Sequence, residues 1–179
     1  MKIIFLDIDG VLNYNGSQII DEVCLSNLRY IVKETDARIV IISTWKECLD
    51  NNIFNNASEK EKAELLKVRN IFYSVFNGDL EILGTVENYF NNIDSNSRSK
   101  EISLSDLEGL DTHSDWRSVE IKEWLKKNEN VESFVIIDDF NCDYDINYPK
   151  NWVRTSWFTK GLTKEDAEKA VNILNSIEK

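Results

Sequence analysis

The sequence predicts an α/β protein with a doubly wound, mainly parallel sheet that carries helices on both faces. Three observations lead to this prediction. Short apolar runs rich in β-branched residues alternate along the chain with longer segments of helical periodicity. The apolar runs show no polar alternation, which is typical of strands buried on both faces of a parallel sheet. Polar side chains directly follow several of these runs, and ligands bind at that edge of an open parallel sheet.

Five segments are predicted to be strands. The four apolar ones cover residues 3–6, 39–42, 134–137 and 152–153. The fifth, at residues 81–86, gives a weaker signal because Gly84 interrupts it.

Four segments are predicted to be helices. Their apolar residues recur at helical spacing within residues 23–32, 65–72, 119–125 and 167–174. Ser58 followed by Glu61 predicts a capping box at the start of the second helix, and Thr163 with Asp166 predicts a cap for the last one.

The length of 179 residues predicts a single domain, residues 1–179, with at most a small cap or insertion. We expect an irregular insertion at about residues 88–115, because this stretch is rich in Asn, Ser, Asp and Glu and poor in apolar residues. The first two predicted strands are too close in sequence to enclose a large cap. Part of the insertion is therefore expected to border the entrance of the site and to shape its specificity.

The composition limits the partners of the protein. The net charge is −11 and the chain has no run of cations, which excludes extended binding to nucleic acid, since such binding requires a stripe of Lys and Arg. A small phosphorylated substrate or a nucleic-acid terminal phosphate is compatible with this charge, because one cationic pocket or a metal ion can overcome the overall field.

The cysteines and the N-terminal residues bear on the cellular location of the protein. The three cysteines lack the spacing of a zinc site or a disulfide framework. The acidic Asp7 comes too early for a signal peptide or a membrane span. We therefore expect a cytoplasmic protein without membrane attachment.

Acids or hydroxyls follow three of the predicted strands. They are Asp7 and Asp9, then Ser43 and Thr44, and finally Asp138 and Asp139. The carboxyl ends of parallel strands meet at one edge, so these side chains are expected in one crevice. Two carboxylates about 4 Å apart repel by about 4 kcal/mol at an effective dielectric constant of about 20, which favours binding of a divalent cation. Oxygen ligands without His or Cys favour Mg²⁺ over zinc.

The first acidic pair has a spacing that suits a shared site. Asp7 and Asp9 are two residues apart, so both carboxylates point to the same side while the chain stays extended. Gly10 then allows the backbone to turn or to approach a ligand closely.

These motifs resemble a known superfamily. Residues 5–12, Phe-Leu-Asp-Ile-Asp-Gly-Val-Leu, resemble the first motif of the haloacid dehalogenase (HAD) superfamily, most of whose members are Mg²⁺-dependent phosphohydrolases. Residues 39–43 are similar to its second motif, and residues 135–139 with Asp143 are similar to its acidic fourth motif. Residues 41–46, 120–125 and 161–167 resemble a compact branch whose members occur alone or fused in multidomain RNA-repair proteins.

The resemblance implies a phosphatase that acts through a phosphoaspartate. Asp7 would attack the phosphorus, and Asp9 would protonate the leaving oxygen and later activate water. The Asp7 side chain, the Asp9 carbonyl and Asp139 would hold Mg²⁺. Asp138 and Asp143 would orient the waters of the metal. The sequence leaves open which of the adjacent pair, Asp138 or Asp139, is the direct ligand.

The resemblance also implies phosphate-binding residues. Ser43 would donate to a phosphoryl oxygen, with Thr44 as the alternate and Gly10 allowing close approach, whereas capping of the next helix is the competing role of Ser43. One cation is required, and Arg117 or Lys122 can supply it. Arg117 precedes a helical segment and would grip phosphate with a fork of donors, whereas Lys122 is the usual residue type but lies within the helix.

Three further residues lie next to these candidates. Trp45 and Trp116 would either stack on a base or sugar or pack in the core. His113 is the only histidine, which excludes mechanisms that need two, and it is either a substrate contact or an ordinary loop residue.

The leading hypothesis is a Mg²⁺-dependent phosphatase that acts on a phosphomonoester. A nucleotide or a nucleic-acid end is the preferred substrate, and a small metabolite phosphate is the rival. The alternative is a phosphoacceptor or ligand-binding regulatory domain that uses the same pocket without turnover. Asp9 discriminates the two, because a phosphoacceptor does not need an acid two residues after the nucleophile. Carbon–halogen hydrolysis is disfavoured because it needs no metal.

Overall fold

The computed structural model describes residues 1–17, 19–86 and 116–176. Within these residues five strands form one all-parallel sheet in the order β3-β2-β1-β4-β5. The strands are β1 (Lys2–Leu6), β2 (Arg38–Ile41), β3 (Ile82–Thr85), β4 (Ser133–Asp138) and β5 (Trp152–Arg154). All five predicted strands are present, so the predicted α/β class and the parallel sheet are confirmed.

Six helices accompany these strands in the described residues. They are α1 (Glu22–Thr35), α2 (Asn51–Asn56), α3 (Glu59–Val75), α4 (Trp116–Lys127), α5 (Tyr144–Asn147) and α6 (Lys164–Asn175), and 3₁₀ helices cover Thr44–Leu49 and Gly78–Leu80. Capping boxes begin α3 at Ser58 and α6 at Thr163, as predicted. The short helices α2 and α5 were not expected, because neither is long enough to show a periodic apolar pattern.

The central strand β1 separates two apolar layers. Ile4 and Leu6 face a core that contains residues of α1, α3 and α6. Ile3 and Phe5 face the other side, where Ile121 of α4 packs. All four of these β1 side chains are fully buried, which is why the strand shows no polar alternation. Helices therefore cover both faces of the sheet, as a doubly wound fold requires.

The weak signal of β3 has a structural cause. β3 is an edge strand, and its pairing with β2 is irregular because Ile39 pairs with Ile82 whereas the next residue, Val40, pairs with Gly84. Leu83 is thus an extra residue, as in a β-bulge. A glycine beside such an irregularity lowers the strand signal without abolishing the strand.

The sequence predicts no large cap between β1 and β2 and an irregular insertion after β3. A single long helix, α1, connects β1 to β2, which leaves no room for a large cap there. The insertion expected at about residues 88–115, together with His113, lies outside the described residues.

Among the helices described, none combines the length and the apolar character needed to cross a bilayer.

A buried ion pair fixes α4 against the segment that follows β2. Lys46 Nζ lies 2.8 Å from Glu120 Oε2, and the two side chains are only 7% and 8% exposed. Burial lowers the pKa of Lys46, and the Glu120 carboxylate opposes this shift. Glu120 lies one helical turn after Arg117, so this pair sets where the start of α4 meets the sheet edge.

We predict that Lys46→Met lowers the free energy of unfolding by about 3–5 kcal/mol, because it breaks a buried ion pair by removing one of its two charges. The double variant Lys46→Met/Glu120→Met should regain part of this loss, since it removes both charges of the pair. Urea denaturation of both variants and the wild type tests the prediction. A double variant no more stable than Lys46→Met would contradict it.

Candidate active site

Three carboxylates meet at the carboxyl edge of the sheet. Asp7 follows β1, Asp138 ends β4 and Asp139 follows it. Carboxylate oxygens of these three residues lie within 4.8 Å of one another. The ladder between β1 and β4 continues up to this point, since the Asp7 N–H donates to the Ile137 carbonyl at 3.0 Å. The topology thus brings together acids that are more than 130 residues apart in the sequence.

Asp7 is a buried acid whose negative charge the neighbouring Arg117 balances only in part. Its side chain is 4% exposed, and its Oδ2 lies 3.3 Å from Arg117 Nη1. Its Oδ1 is buried and has no hydrogen-bond partner among the described residues. Burial and the charge of Asp138 raise the pKa of Asp7 to about 7, although Arg117 and the Ser43 hydroxyl oppose the shift. The ionised form of Asp7 therefore needs a further positive partner.

Arg117 bridges two of the acids. One nitrogen, Nη1, lies 2.8 Å from Asp138 Oδ2 and 3.3 Å from Asp7 Oδ2. Burial opposes its charge, but the carboxylates of Asp7 and Asp138 outweigh burial and raise the pKa of the guanidinium. Lys122 is exposed and lies about 140° further around α4. Of the two candidate cations, the structure brings Arg117 to the acids and leaves Lys122 on the solvent side.

The adjacent acids Asp138 and Asp139 differ in their surroundings. Asp138 is fully buried, and its Oδ1 accepts the Phe140 N–H at 2.9 Å. Its Oδ2 accepts from Arg117 at 2.8 Å and from the Tyr144 hydroxyl at 3.1 Å. Asp139 is half-buried, and burial together with the charge of Asp7 raises its pKa. This difference favours Asp139 as the direct metal ligand, because both oxygens of Asp138 already accept hydrogen bonds.

Gly10 makes room for Asp139. A Cβ at Gly10 would lie 2.3 Å from Asp139 Cγ, and the backbone has a φ of +76°, so a larger residue would displace the carboxylate. The Gly10 N–H donates to Asn13 Oδ1 at 3.1 Å, and its carbonyl accepts the Thr155 hydroxyl at 2.8 Å. The sequence analysis missed Asn13 and Thr155, because their hydrogen bonds with Gly10 form only in the folded protein.

Asp9 is held by two donors. Its Oδ1 accepts the Asn13 Nδ2 donor at 2.8 Å, and its Oδ2 accepts the Trp45 Nε1–H at 2.9 Å. Trp45 is only 9% exposed, so its ring packs in the core and is not open for stacking on a base. The side chain of Trp116 lies outside what the structure describes.

The remaining candidates take other positions. Ser43 is buried and caps the 3₁₀ helix after β2, since its Oγ accepts the Trp45 N–H at 3.4 Å. This is the capping role, and it leaves the hydroxyl proton of Ser43 able to donate elsewhere. Thr44 is exposed. Asp143 is half-buried, adopts a φ of +57° before α5 and lies outside the group of three carboxylates.

The donor set fits a hard divalent cation. Three clustered acids face one guanidinium, so the cluster carries excess negative charge when all three are ionised. The carboxylates of Asp7 and Asp139 offer oxygen ligands, which Mg²⁺ prefers. These two residues therefore could hold the metal directly.

The fold and the site define a class: α/β domains with a parallel sheet and a buried acidic cluster at its carboxyl edge. A family model described as "HAD domain in Swiss Army Knife RNA repair proteins" matches residues 3–167. The chain belongs to this family, which confirms the compact HAD domain predicted from the motifs. No curated protein and no solved structure gives a significant match to the chain. The family supports a HAD-type phosphohydrolase, and the acidic cluster is compatible with that chemistry.

The raised pKa of Asp7 predicts how the metal-free protein responds to pH. The folded state holds the Asp7 proton up to about pH 7, above the ordinary value of 3.8, so this residue lowers stability as the pH rises through that window. Asp7→Asn should therefore raise the melting temperature relative to wild type at pH 8, and much less at pH 5. Thermal unfolding in EDTA measures this difference. Asp145→Asn, at an exposed position, is the control, and a pH-independent effect of Asp7→Asn would contradict the account.

Proposed function

We propose that this protein is a Mg²⁺-dependent phosphatase that hydrolyses a phosphomonoester through a phosphoaspartate on Asp7. One observation carries the proposal. The Asp7 carboxylate is buried, with one oxygen beside Arg117 and the other without a hydrogen-bond partner in the described part of the chain. Asp9, two residues later, accepts the Trp45 Nε1–H and is thereby held in place. An Asp7 oxygen in this state suits a nucleophile that waits for an electrophilic phosphorus.

The first half-reaction transfers the phosphoryl group to the protein. Asp7 Oδ1 forms a bond to phosphorus, and the bond from phosphorus to the leaving oxygen breaks. Asp9, in its protonated form, gives its proton to that oxygen, so the product leaves as an alcohol. Arg117 and the Ser43 hydroxyl would stabilise the charge on the phosphoryl oxygens.

The second half-reaction restores the protein. Asp9, now a carboxylate, takes a proton from a water molecule while the water oxygen attacks phosphorus. The bond between phosphorus and Asp7 breaks, and inorganic phosphate leaves. Asp9 thus acts as acid and then as base, and it is protonated again at the end of the cycle. A phosphoacceptor domain does not need this second acid, so the held position of Asp9 favours the hydrolase over the regulatory alternative.

Five residues would serve the metal. The side chains of Asp7 and Asp139 and the carbonyl of Asp9 would bind it, and Asp138 and Asp143 would orient its waters. When bound, Mg²⁺ supplies positive charge that offsets the repulsion between the phosphoryl group and the attacking carboxylate. Asp138 also holds Arg117 at 2.8 Å, so it contributes to the site without direct ligation.

The proposed substrate is a nucleotide or a nucleic-acid end. The family model describes domains of RNA-repair proteins, which supports this substrate class. The net charge of −11 limits the contact to a terminal phosphate or a mononucleotide, because a long polyanion would be repelled. A small metabolite phosphate is the competing substrate, and a panel of phosphomonoesters separates the two.

The proposal predicts metal-dependent phosphate release that needs both acids of the first motif. Asp7→Asn removes the nucleophile and should abolish release, and Asp9→Asn should reduce it about 10²–10⁴-fold, since it removes the acid and base. Release from nucleotides, oligonucleotide ends and sugar phosphates is measured with Mg²⁺ or with EDTA. Full activity in EDTA, or in Asp7→Asn, would contradict the mechanism.

The position of Arg117 predicts a contrast with Lys122. Arg117→Met should lower kcat/KM about 10²–10³-fold, because it removes the charge beside the nucleophile. Arg117→Lys should retain part of the activity as a point charge. Lys122→Met, on the same helix, is the matched control and should match the wild type. Circular dichroism verifies folding, and a larger loss in Lys122→Met than in Arg117→Met would reverse the assignment.

A further inference from the structure

The contacts of Asp9 connect two separate parts of the site. Asp9 follows β1, whereas Trp45 lies in the 3₁₀ helix after β2, 36 residues further along the chain. The Trp45 Nε1–H donates to Asp9 Oδ2 at 2.9 Å. The backbone N–H of the same residue donates to Ser43 Oγ at 3.4 Å. Trp45 therefore contacts both the proposed acid–base residue and the proposed phosphate-binding hydroxyl.

Trp45 is a rigid donor. Its side chain is 9% exposed and belongs to the same buried cluster as Leu12, Cys48 and Phe72. The ring has only two rotatable bonds, and the packing around it fixes both. Its N–H is consequently already oriented before a substrate binds, which is the condition for precise placement of a catalytic group.

Asn13 supplies the second donor. It is fully buried, its Nδ2 donates to Asp9 Oδ1 at 2.8 Å, and its Oδ1 accepts the Gly10 N–H at 3.1 Å. The Gly10 contact fixes which end of the Asn13 amide faces Asp9. Because the two donors reach different oxygens, they restrain rotation of the Asp9 carboxylate about its bond to the chain.

We infer that Trp45 and Asn13 are positioning residues that aim the Asp9 carboxylate at the leaving oxygen of the substrate. We name this pair the Asp9 clamp. The inference rests on the proposed phosphatase function and deepens it. It assigns a positioning role to Trp45, which the sequence predicts either to stack on a base or sugar or to pack in the core. The Trp45 indole N–H and the Asn13 Nδ2 both donate to Asp9, so the task that we assign to these two groups acts through Asp9.

Loss of the clamp should affect alkyl and aryl phosphates differently, whereas a general loss of packing should not. Proton donation matters most when the leaving oxygen is a poor leaving group, as in an alkyl phosphate. An aryl phosphate such as p-nitrophenyl phosphate releases a stable phenolate and depends little on an acid. Loss of the clamp should therefore slow alkyl substrates far more than aryl substrates, whereas a general loss of packing should slow both equally.

Trp45→Phe is the most selective variant, since it keeps an aromatic ring in the core while it removes the N–H together with part of the indole volume. Asn13 variants are less selective because Asn13 also holds the Gly10 backbone. Trp124→Phe is the matched control, because Trp124 packs edge-to-face on Phe5, with ring centroids 5.4 Å apart, on the other face of the sheet. We measure kcat and KM with glycerol phosphate and with p-nitrophenyl phosphate in the presence of Mg²⁺.

We expect Trp45→Phe to lower kcat for glycerol phosphate about 10- to 100-fold, with KM within about twofold and with less than about a threefold loss on p-nitrophenyl phosphate. Trp124→Phe should affect both substrates alike. Equal losses on the two substrates in Trp45→Phe would overturn the inference while leaving the proposed function intact. A wild type that hydrolyses neither substrate nor any other phosphomonoester would overturn the proposed function, and the clamp with it.

A second readout does not depend on activity. The indole N–H signal of Trp45 in a ¹⁵N correlation spectrum, assigned by its loss in Trp45→Phe, should shift in Asp9→Asn more than any other indole signal. An unchanged Trp45 indole signal in Asp9→Asn would show that the hydrogen bond is absent in solution, and would overturn the inference independently of turnover.

Discussion

The structure of this site depends on the contact of Arg117 with Asp7 and Asp138. Three acids cluster at the sheet edge, and this guanidinium is the cation that contacts two of them. Without it, the buried carboxylates of Asp7 and Asp138 would face each other beside half-buried Asp139, an arrangement that burial makes costly. With it, the cluster still carries excess negative charge. Burial and repulsion from a neighbouring carboxylate therefore raise the pKa values of Asp7 and Asp139. This remaining charge favours the binding of a cation.

The rest of the fold places this contact. The parallel sheet brings Asp7, which follows β1, next to Asp138, which ends the neighbouring strand β4, so their proximity follows from the pairing of these strands. The buried pair of Lys46 and Glu120 joins α4, which bears Arg117, to the segment after β2. That same segment supplies Trp45, whose N–H reaches Asp9. The proposed nucleophile, the cation beside it and the proposed acid–base residue are thus fixed by different elements that meet at one edge.

The sequence predicts the sheet and the long helices well, because each has a pattern that a local window contains. Apolar runs marked four strands, and even the irregular β3 kept enough apolar character to be found. The cluster of Asp7, Asp138 and Asp139 could be predicted because the carboxyl ends of parallel strands meet at one edge of the sheet. By contrast, the choice between Arg117 and Lys122 depends on the rotational phase of α4, and the Trp45 contact depends on a 3₁₀ helix that has no sequence signature. Such long-range side-chain geometry arises only when separate elements pack.

The central claim is that Asp7 becomes covalently phosphorylated during turnover. The most direct measurement is to quench the enzyme in acid during steady-state hydrolysis with Mg²⁺, reduce it with borohydride and map the product by mass spectrometry. An acyl phosphate on an aspartate is converted by this treatment to homoserine, so the account predicts homoserine at position 7 and nowhere else. Active enzyme that yields no homoserine, or yields it at position 9 or 139, would contradict the account.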